Sequence, residues 1–211
     1  MYKRISIILF TILLLSGSNA LAQRGKKHSK STFDYEMRAG VNFCQIDGDG
    51  SGNYDKLGWH GSVNTSFPIG LDDALRFQVE IGLTQKGSHV NQIDRYISLL
   101  YLEVPLLLSY NTMENRLRIM AGVAPAILAS SRVTTDGAYD KLQSENYKRM
   151  DVLPLCLGVR YIFTEHVGID LRYYNSMLNT AKENGTGTYR IFRSNKGQFN
   201  RLLQFGITLK F

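Results

Sequence analysis

Apolar and polar residues alternate with a period of two along most of the chain, beginning at Phe33. In the first run, Phe33, Phe43 and every second residue between them are apolar, and the residues in between are mostly polar or small. Side chains of a β-strand point alternately to its two faces, so this pattern predicts a strand with one apolar and one polar face. Seven similar runs follow before Phe211, and helical periodicity is absent. The sequence therefore predicts an all-β chain of about eight strands.

The connections between the predicted strands alternate between long polar segments and tight turns. The long segments cover 47–56, 86–95, 132–149 and 177–198, whereas connections such as 164–166 are short. An even number of strands, each near the ~9–11 residues that a tilted membrane strand needs, with short turns at one end and long loops at the other, is typical of outer-membrane barrels. We predict an eight-stranded antiparallel transmembrane β-barrel with up-and-down meander topology.

The polar face of the predicted strands carries charges of both signs and most of the strand glycines. An arginine facing lipid at mid-depth costs roughly 2–4 kcal/mol, so this face is predicted to line the interior. Its charged residues are Arg38, Arg76, Glu80, Glu103, Arg118, Arg160, Asp170 and Arg172. Because side chains fill an eight-stranded barrel, we expect these charges to form a paired plug. A narrow pore or transporter is the alternative.

Aromatic residues of the apolar face gather at the strand ends beside the short turns and the termini. They are Phe33, Tyr35, Phe67, Phe77, Tyr110, Phe163 and Phe211. Such a band is typical of a membrane interface, and Phe43, Trp59 and Tyr173 predict a thinner band at the opposite ends. The strands of a soluble, exported lipocalin-like binder also alternate between apolar and polar residues, with the apolar face inside. Such a barrel does not require aromatic bands at its ends.

The N-terminus has the form of a secretory signal peptide. Lys3 and Arg4 precede an apolar run over 5–15, and Ala20 and Ala22 fit an A-x-A cleavage site. The apolar run is too short for a stable membrane helix. We therefore predict an exported protein that is cleaved after Ala22.

These features divide the predicted chain into a signal peptide at 1–22, a basic periplasmic tail at 23–32 and an outer-membrane barrel at 33–211. Both termini are expected in the periplasm of a Gram-negative cell. Lysine and arginine number 25 against 18 aspartates and glutamates, a net charge of +7. An exported protein rarely meets DNA, so no nucleic-acid partner is predicted. Part of the positive excess is interpreted as a solvated basic tail.

The expected partners are those of the cell envelope. The last strand ends at Phe211, a terminal aromatic that resembles the signal read by the barrel assembly machinery. Outer-membrane lipid surrounds the predicted barrel. The basic and aromatic loop at 177–198 is a candidate contact for acidic lipid headgroups or for an envelope protein, with a solvated loop as the alternative.

The first long loop begins like an EF-hand calcium loop. Asp47, Asp49 and Ser51 occupy ligand positions one, three and five, and Asp55 falls at position nine. Position twelve, where a bidentate glutamate should close the site, is Gly58, and no helical pattern flanks the loop. Our hypothesis is that the loop needs glycine for tight reversal and aspartate for local backbone bonds. An incomplete calcium contact is the alternative.

No catalytic or cofactor-binding residue is predicted. His60 alone among the histidines lies in a predicted strand, and Ser62 shares its face. A barrel lipase could use such a pair to attack an ester, so an enzyme acting on lipid is the last alternative. A lumen histidine bonded to its neighbours is favoured, and the chain is predicted not to be an enzyme. Cys44 and Cys156 make no disulfide framework, and buried free thiols are favoured.

Five short motifs occur in a recognisable order. They are Gly40-Val41-Asn42, the Gly/Asp loop at 47–52, the strand start Lys56–His60, Gln85-Lys86-Gly87 and Tyr101–Pro105. In order and spacing they resemble the PorT-like outer-membrane β-barrel family of Bacteroidota, over nearly the whole mature chain. The resemblance implies an eight-stranded barrel, and the founding member takes part in protein secretion across the outer membrane. That role is not carried over by default. The expected role is structural, anchoring or accessory, within a secretion or envelope assembly.

Overall fold

The computed structural model describes residues 33–49, 53–69, 74–112, 116–151, 154–181, 187–188 and 196–211. The predicted signal peptide and basic tail, Ser51, and most of the loop at 177–198 lie outside these ranges. Within them, no helix combines the length and the apolar character needed to cross a membrane.

The described residues form fourteen β-strands, a 3-10 helix at Asn91–Ile93 and a short α-helix, α1 (Lys141–Glu145). The strands are β1 (Asp34–Asp47), β2 (Lys56–Pro68), β3 (Leu75–Val90), β4 (Arg95–Glu103), β5 (Leu106–Thr112), β6 (Leu117–Val123), β7 (Ala126–Thr135), β8 (Ala138–Tyr139), β9 (Met150–Asp151), β10 (Pro154–Ile162), β11 (Val167–Ser176), β12 (Gly187–Thr188), β13 (Lys196–Gly197) and β14 (Phe199–Lys210).

Two prolines divide single long strands into two segments each. Pro105 separates β4 from β5, and Pro125 lies between β6 and β7, because proline has no N–H to donate to a neighbouring strand. The carbonyl groups of both prolines still accept hydrogen bonds from neighbouring strands. Glu80 N–H donates to Pro105 O at 2.9 Å, and Val104 N–H donates to Pro125 O at 2.9 Å. Each pair of segments therefore acts as one strand of the barrel.

The sheet closes on itself. Each of the eight long strands pairs antiparallel with its neighbour along the chain, and β1 also pairs with β14. Gly40 shows the register, since it lies opposite His60 on β2 and Gly206 on β14. The predicted eight-stranded antiparallel barrel is confirmed. We call the end with the connections at 69–74, 113–116 and 163–166 the short-turn end, and the opposite one the long-loop end.

Two segments predicted to be long loops are instead largely strand and short helix, so this prediction was wrong for them. β3 continues to Val90, and β4 already begins at Arg95. The segment 132–149 contains the end of β7, then β8 and α1, whose first turn is capped by the Asp140 side chain. Beyond the membrane a strand needs no continuous apolar face. Its residues can therefore be polar, and a polar segment resembles a loop in the sequence. Val90 and Ile97 are buried in this extension.

The two faces of the wall are oriented as predicted. All eight charged residues assigned to the interior are buried, whereas alternate apolar residues such as Met37, Leu108 and Ile207 are about half exposed on the outside. At the short-turn end the aromatic band is continuous over three strands, because Phe67 packs against Phe33 and Phe77 with ring centroids 5.8 and 5.5 Å apart. At the opposite ends Phe43 and Trp59 are exposed.

The interior also contains two apolar clusters of buried residues. The middle cluster consists of Cys44, Leu107, Met120, Ala124, Cys156, Tyr174 and Leu202. The outer cluster, toward the long-loop end, consists of Ile46, Ile97, Leu99, Tyr101, Ala126, Val133 and Tyr147. Tyr147 belongs to the connection between α1 and β9, so this connection is folded into the mouth of the barrel.

Both cysteines are free thiols and are fully buried in the middle cluster. A maleimide reacts with an accessible thiolate, so we expect neither Cys44 nor Cys156 to be labelled in the folded barrel. Both should be labelled after boiling in dodecyl sulfate, as shown by mass spectrometry. A Lys141→Cys variant on the exposed α1 is the control and should react before unfolding. Fast labelling of the folded wild-type barrel would contradict this packing.

Candidate functional site: the barrel lumen

Asp170 lies at the centre of a buried ion-pair network in the lumen. Arg38 Nε donates to its Oδ1 at 2.5 Å, and Thr208 Oγ1 donates to its Oδ2 at 2.8 Å. Two more guanidinium groups approach it, with Arg172 Nε at 3.5 Å and Arg160 Nη2 at 3.7 Å. One carboxylate thus faces three arginines that come from three different strands.

Glu80 supplies the second negative charge of this network. Arg172 Nη1 donates to its Oε2 at 2.8 Å, and Arg38 Nη1 lies 3.9 Å from its Oε1. Ser62 Oγ and Gln78 Nε2 also donate to this carboxylate, at 2.6 and 3.1 Å. Buried charges are tolerated when they are paired and hydrogen-bonded, and the Glu80 carboxylate has both ion pairs and hydrogen bonds.

The network continues toward the short-turn end through two further carboxylates. Glu36 accepts hydrogen bonds from Arg118, at 2.9 Å, and from Arg160. Asp34 then forms ion pairs with Arg76 at 3.1 Å and with Lys210 at 2.9 Å on the last strand. The predicted pairing of interior charges is therefore present from mid-barrel to the short-turn end.

A separate group of charges lies toward the long-loop end. Lys86 Nζ is 2.6 Å from Glu103 Oε1 and 3.8 Å from an oxygen of Asp151, which also accepts a hydrogen bond from Ser176. Lys56 Nζ donates to the Lys86 carbonyl oxygen at 2.8 Å. Asp151 lies on β9, so this carboxylate ties the inserted connection after α1 to the barrel wall.

The connection itself is fastened by backbone hydrogen bonds. Lys148 N–H donates to Thr180 O at 2.7 Å, and Leu128 N–H donates to Arg149 O at 2.7 Å. Between them, the Tyr147 side chain enters the outer cluster, and its burial raises the pKa of the phenol. Tyr147 is therefore a neutral side chain that packs against apolar residues at the mouth of the barrel.

His60 is buried in the lumen above a pair of glycines. Asn42 Nδ2 donates to the carbonyl oxygens of Trp59 and Gln85, so its Oδ1 accepts from His60 Nδ1 at 2.6 Å. Nε2 has no hydrogen-bond partner among the described residues. A Cβ on Gly40 or Gly206 would lie within 3 Å of the ring, so the imidazole occupies the space that these glycines leave.

The His60 and Ser62 side chains do not form a catalytic pair in this structure. Ser62 Oγ donates its proton to Glu80, whereas His60 Nδ1 is used by Asn42. Activation of a serine requires a hydrogen bond from its hydroxyl to the base. The geometry therefore gives the lipase hypothesis no support.

The structure describes three of the four calcium candidates, with Asp49 two residues beyond the end of β1. Asp47 lies at the end of β1, and its carboxylate pairs with Arg201 at 2.9 Å. Ser51 lies outside the described residues, and Asp55 is exposed beside the start of β2. Across the described ranges there is no cluster of three histidine, cysteine or acidic side chains suited to a metal ion.

The side chains of the network fill the middle of the lumen. One gap between these side chains has no room for a sphere of the size of water. It is lined by Arg38, His60, Ser62, Glu80, Gly82, Thr84, Glu103, Pro105, Tyr174 and Gln204.

Four buried charges were not among the predicted lumen residues: Glu36, Lys56, Lys86 and Asp151. The alternation of β1 places Glu36 on the same face as Arg38, and that of β2 places Lys56 on the same face as His60. Lys86 was missed because it was assigned to a loop. Asp151 had no signal in the sequence, since it reaches the lumen through a folded connection.

The fold and the lumen define an integral outer-membrane β-barrel protein, with an apolar outer wall and an ion-paired interior. The chain belongs to the outer membrane protein beta-barrel domain family, whose sequence profile matches residues 21–182. This family assignment places the protein in the outer membrane. No curated protein sequence matches the chain.

Solved structures of similar architecture share little sequence with this chain. Ail, the attachment invasion locus protein of Yersinia pestis, in complex with the heparin analogue sucrose octasulfate, is 12% identical; the match covers 85% of this chain and 99% of Ail, with a TM-score of 0.50. Neisserial surface protein A is 16% identical, with 87% and 100% covered and a TM-score of 0.49. OprG of Pseudomonas aeruginosa is 13% identical, with 84% and 95% covered and a TM-score of 0.42. At these identities the likeness concerns the fold alone.

Proposed function

We propose that this protein is a closed outer-membrane barrel with a structural, anchoring or accessory role in the cell envelope. The observation that carries this proposal is the occupied lumen: Arg38, Arg172, Glu80 and Asp170 form buried ion pairs at mid-barrel. The gap beside Arg38 and Glu80 has no room for a water-sized sphere. A channel needs a continuous polar path, and an enzyme needs an accessible reactive group. A closed barrel instead offers its outer wall and its long-loop end for contacts.

We further propose the orientation expected for such barrels. The signal peptide at 1–22 directs export, both termini lie in the periplasm, and the long-loop end faces the outside of the cell. The barrel assembly machinery reads the strand that ends at Phe211. Support comes from the family assignment and from the aromatic bands at both ends of the outer wall.

The motifs that resemble the PorT-like family support a finer proposal, in which the barrel is an accessory part of a secretion or envelope assembly. Two of these motifs have a clear structural use. Gly40 makes room for His60, and Gly87 lies at a position with φ of +138°. Co-purification after crosslinking in the native membrane tests the proposal, because a component of an assembly should retain the same envelope proteins in repeated preparations.

Conductance in planar lipid bilayers is the direct test of the closed lumen. We expect the purified wild-type barrel to show no stepwise current after repeated insertion, because paired side chains fill its interior. A Glu80→Ala/Arg172→Ala variant removes two large side chains that bind each other and should leak more than wild type. Reproducible single-channel steps from the wild-type barrel would contradict the proposal and favour the narrow pore.

Membrane residence and orientation are tested separately. The protein should fractionate with the outer membrane, require detergent for solubility, and migrate differently on gels with and without boiling. In intact cells, an impermeant maleimide should label Lys141→Cys, since α1 lies at the long-loop end. Labelling only after the outer membrane is permeabilised would reverse the proposed orientation.

A further inference from the structure

We infer that an exposed basic patch at the long-loop end, formed by Arg132, Lys148 and Arg149, binds the anionic headgroup of an outer-leaflet glycolipid that carries more than one phosphate. The inference rests on the proposed orientation for the identity of the leaflet. It does not rest on the closed lumen or on a role in secretion.

The chain register places these three residues on or beside β7. β9 pairs with the start of β7, so that Ile127 lies opposite Met150, and Leu128 N–H donates to Arg149 O. Lys148 and Arg149 immediately precede Met150, and Arg132 lies four residues beyond Leu128 on β7. All three basic side chains are exposed.

The positive charges of the patch are not compensated by the protein. None of the three forms an ion pair with another residue in the described part of the chain, and neither 126–135 nor 147–150 contains an acidic residue. Other basic residues near the surface behave differently, since Arg201 pairs with Asp47 and Lys210 pairs with Asp34 at 2.9 Å each. Within the described ranges, ion pairs with the protein therefore do not occupy these three charges, which can attract an external anion.

The position of the patch relative to the lipid follows from its apolar neighbours. Ile127 and Met150 are 50% and 57% exposed on the outer wall. Exposed apolar side chains followed by exposed basic ones mark the change from acyl chains to headgroups on a membrane barrel. Lysine and arginine can keep their stems along the apolar region while their charged ends reach phosphate oxygens.

The spacing within the patch indicates what kind of headgroup fits. Arg149 pairs at the level of Leu128, and Arg132 lies four residues further along the strand, which corresponds to roughly 13 Å of strand length. A single phosphate cannot pair closely with both ends of such a patch. A glycolipid with two or more phosphates can, which distinguishes it from an ordinary phospholipid with one.

The test uses the purified mature barrel in neutral detergent micelles, titrated with a fluorescent diphosphoryl lipid A. We expect saturable binding that an Arg132→Gln/Arg149→Gln variant weakens by about tenfold or more, since two charge-assisted contacts are lost. The control, Arg116→Gln/Lys141→Gln, removes two exposed positive charges outside the patch, one at the short-turn end and one that pairs with Glu145 on α1. It should bind within about twofold of wild type. Equal weakening in both variants would overturn the inference, because it would mean that net charge alone drives binding.

Further measurements separate the lipid from other anions and from a folding defect. Monophosphoryl lipid A should bind more weakly than the diphosphoryl form, and inorganic phosphate should not compete at equal concentration. Equal binding of both lipids, or competition by free phosphate, would overturn the inference. Variants are compared only at unchanged gel mobility without boiling; if the double variant misfolds, Arg149→Gln alone replaces it.

The outcome is separable from that of the proposed orientation. Binding in micelles is independent of the side of the membrane to which the patch belongs, whereas labelling of Lys141→Cys in cells reports that side directly. A barrel that binds the lipid but has α1 in the periplasm refutes the outer-leaflet assignment and the orientation together. A correctly oriented barrel that does not bind refutes this inference alone.

Discussion

Replacing Asp170 by asparagine is expected to destabilise the barrel by about 3–5 kcal/mol, the cost of removing one partner from a buried ion pair. The side chains keep the same size, so the change removes charge and leaves the packing intact. Arg38, Arg160 and Arg172 would then lack their shared counter-charge in a lumen that excludes solvent. Urea unfolding in lipid vesicles, followed by the loss of heat-modifiable mobility, measures the effect.

The matched control is Asp47→Asn, which removes the carboxylate from an ion pair that is partly exposed. Its partner Arg201 and Asp47 itself retain about a quarter to a third of their side-chain exposure. Pairs of this kind contribute about 0–1 kcal/mol. If both substitutions cost the same, the lumen network would not be a determinant of stability. Should Asp170→Asn prevent assembly altogether, Glu80→Gln tests the same network from its other carboxylate.

A Gly87→Ala substitution is expected to cost about 2–4 kcal/mol, from backbone strain together with a steric clash. Gly87 has a φ of +138°, a conformation that residues with a Cβ rarely adopt. A Cβ at this position would lie 1.9 Å from the carbonyl oxygen of Ile97 on β4. The strand pairing that extends β3 and β4 beyond the membrane should therefore loosen, and the urea midpoint should fall.

Gly61→Ala on β2 is the control for this substitution. A Cβ at Gly61 would meet no atom within 4 Å, and its backbone is not in the positive-φ region. We expect its stability to stay within about 0.5 kcal/mol of wild type, with a small gain from the restricted unfolded chain. A loss at Gly61 as large as that at Gly87 would indicate a general intolerance of alanine in the sheet.

Much of the architecture was predictable because a membrane wall imposes a strict period-two pattern on each strand. Met37 and Val41 face lipid, and the residues that follow them, Arg38 and Asn42, face the lumen, as the alternation requires. The direction of each face, toward lipid or toward the lumen, followed from the cost of placing a charge in lipid. Strand pairing followed from the order of the runs, since a meander joins each strand to the next.

The parts that were missed lie where this constraint ends. Above the membrane, Lys86 and Ser88 are polar, yet they are buried in the extended β3, so polarity did not indicate a loop there. Tyr147 and Asp151 reach the lumen through a connection whose path depends on packing against β7, which local sequence does not encode. The hydrogen bonds of His60 and Ser62 also depend on neighbours from other strands. Their residue types alone suggested a lipase-like pair, but their contacts in the structure do not form one.

The seam between β1 and β14 has a consequence for how this chain reaches its native state. β1 and β14 are joined along twelve residue pairs, from Glu36↔Lys210 to Asp47↔Phe199, which are distant in sequence. Until the last strand has been synthesised, β1 has an open edge with unpaired backbone groups, and open edges promote aggregation. Contacts of such long range also form slowly. Closure of the barrel therefore requires both β1 and β14, and the seam between them can form only once the last strand is present.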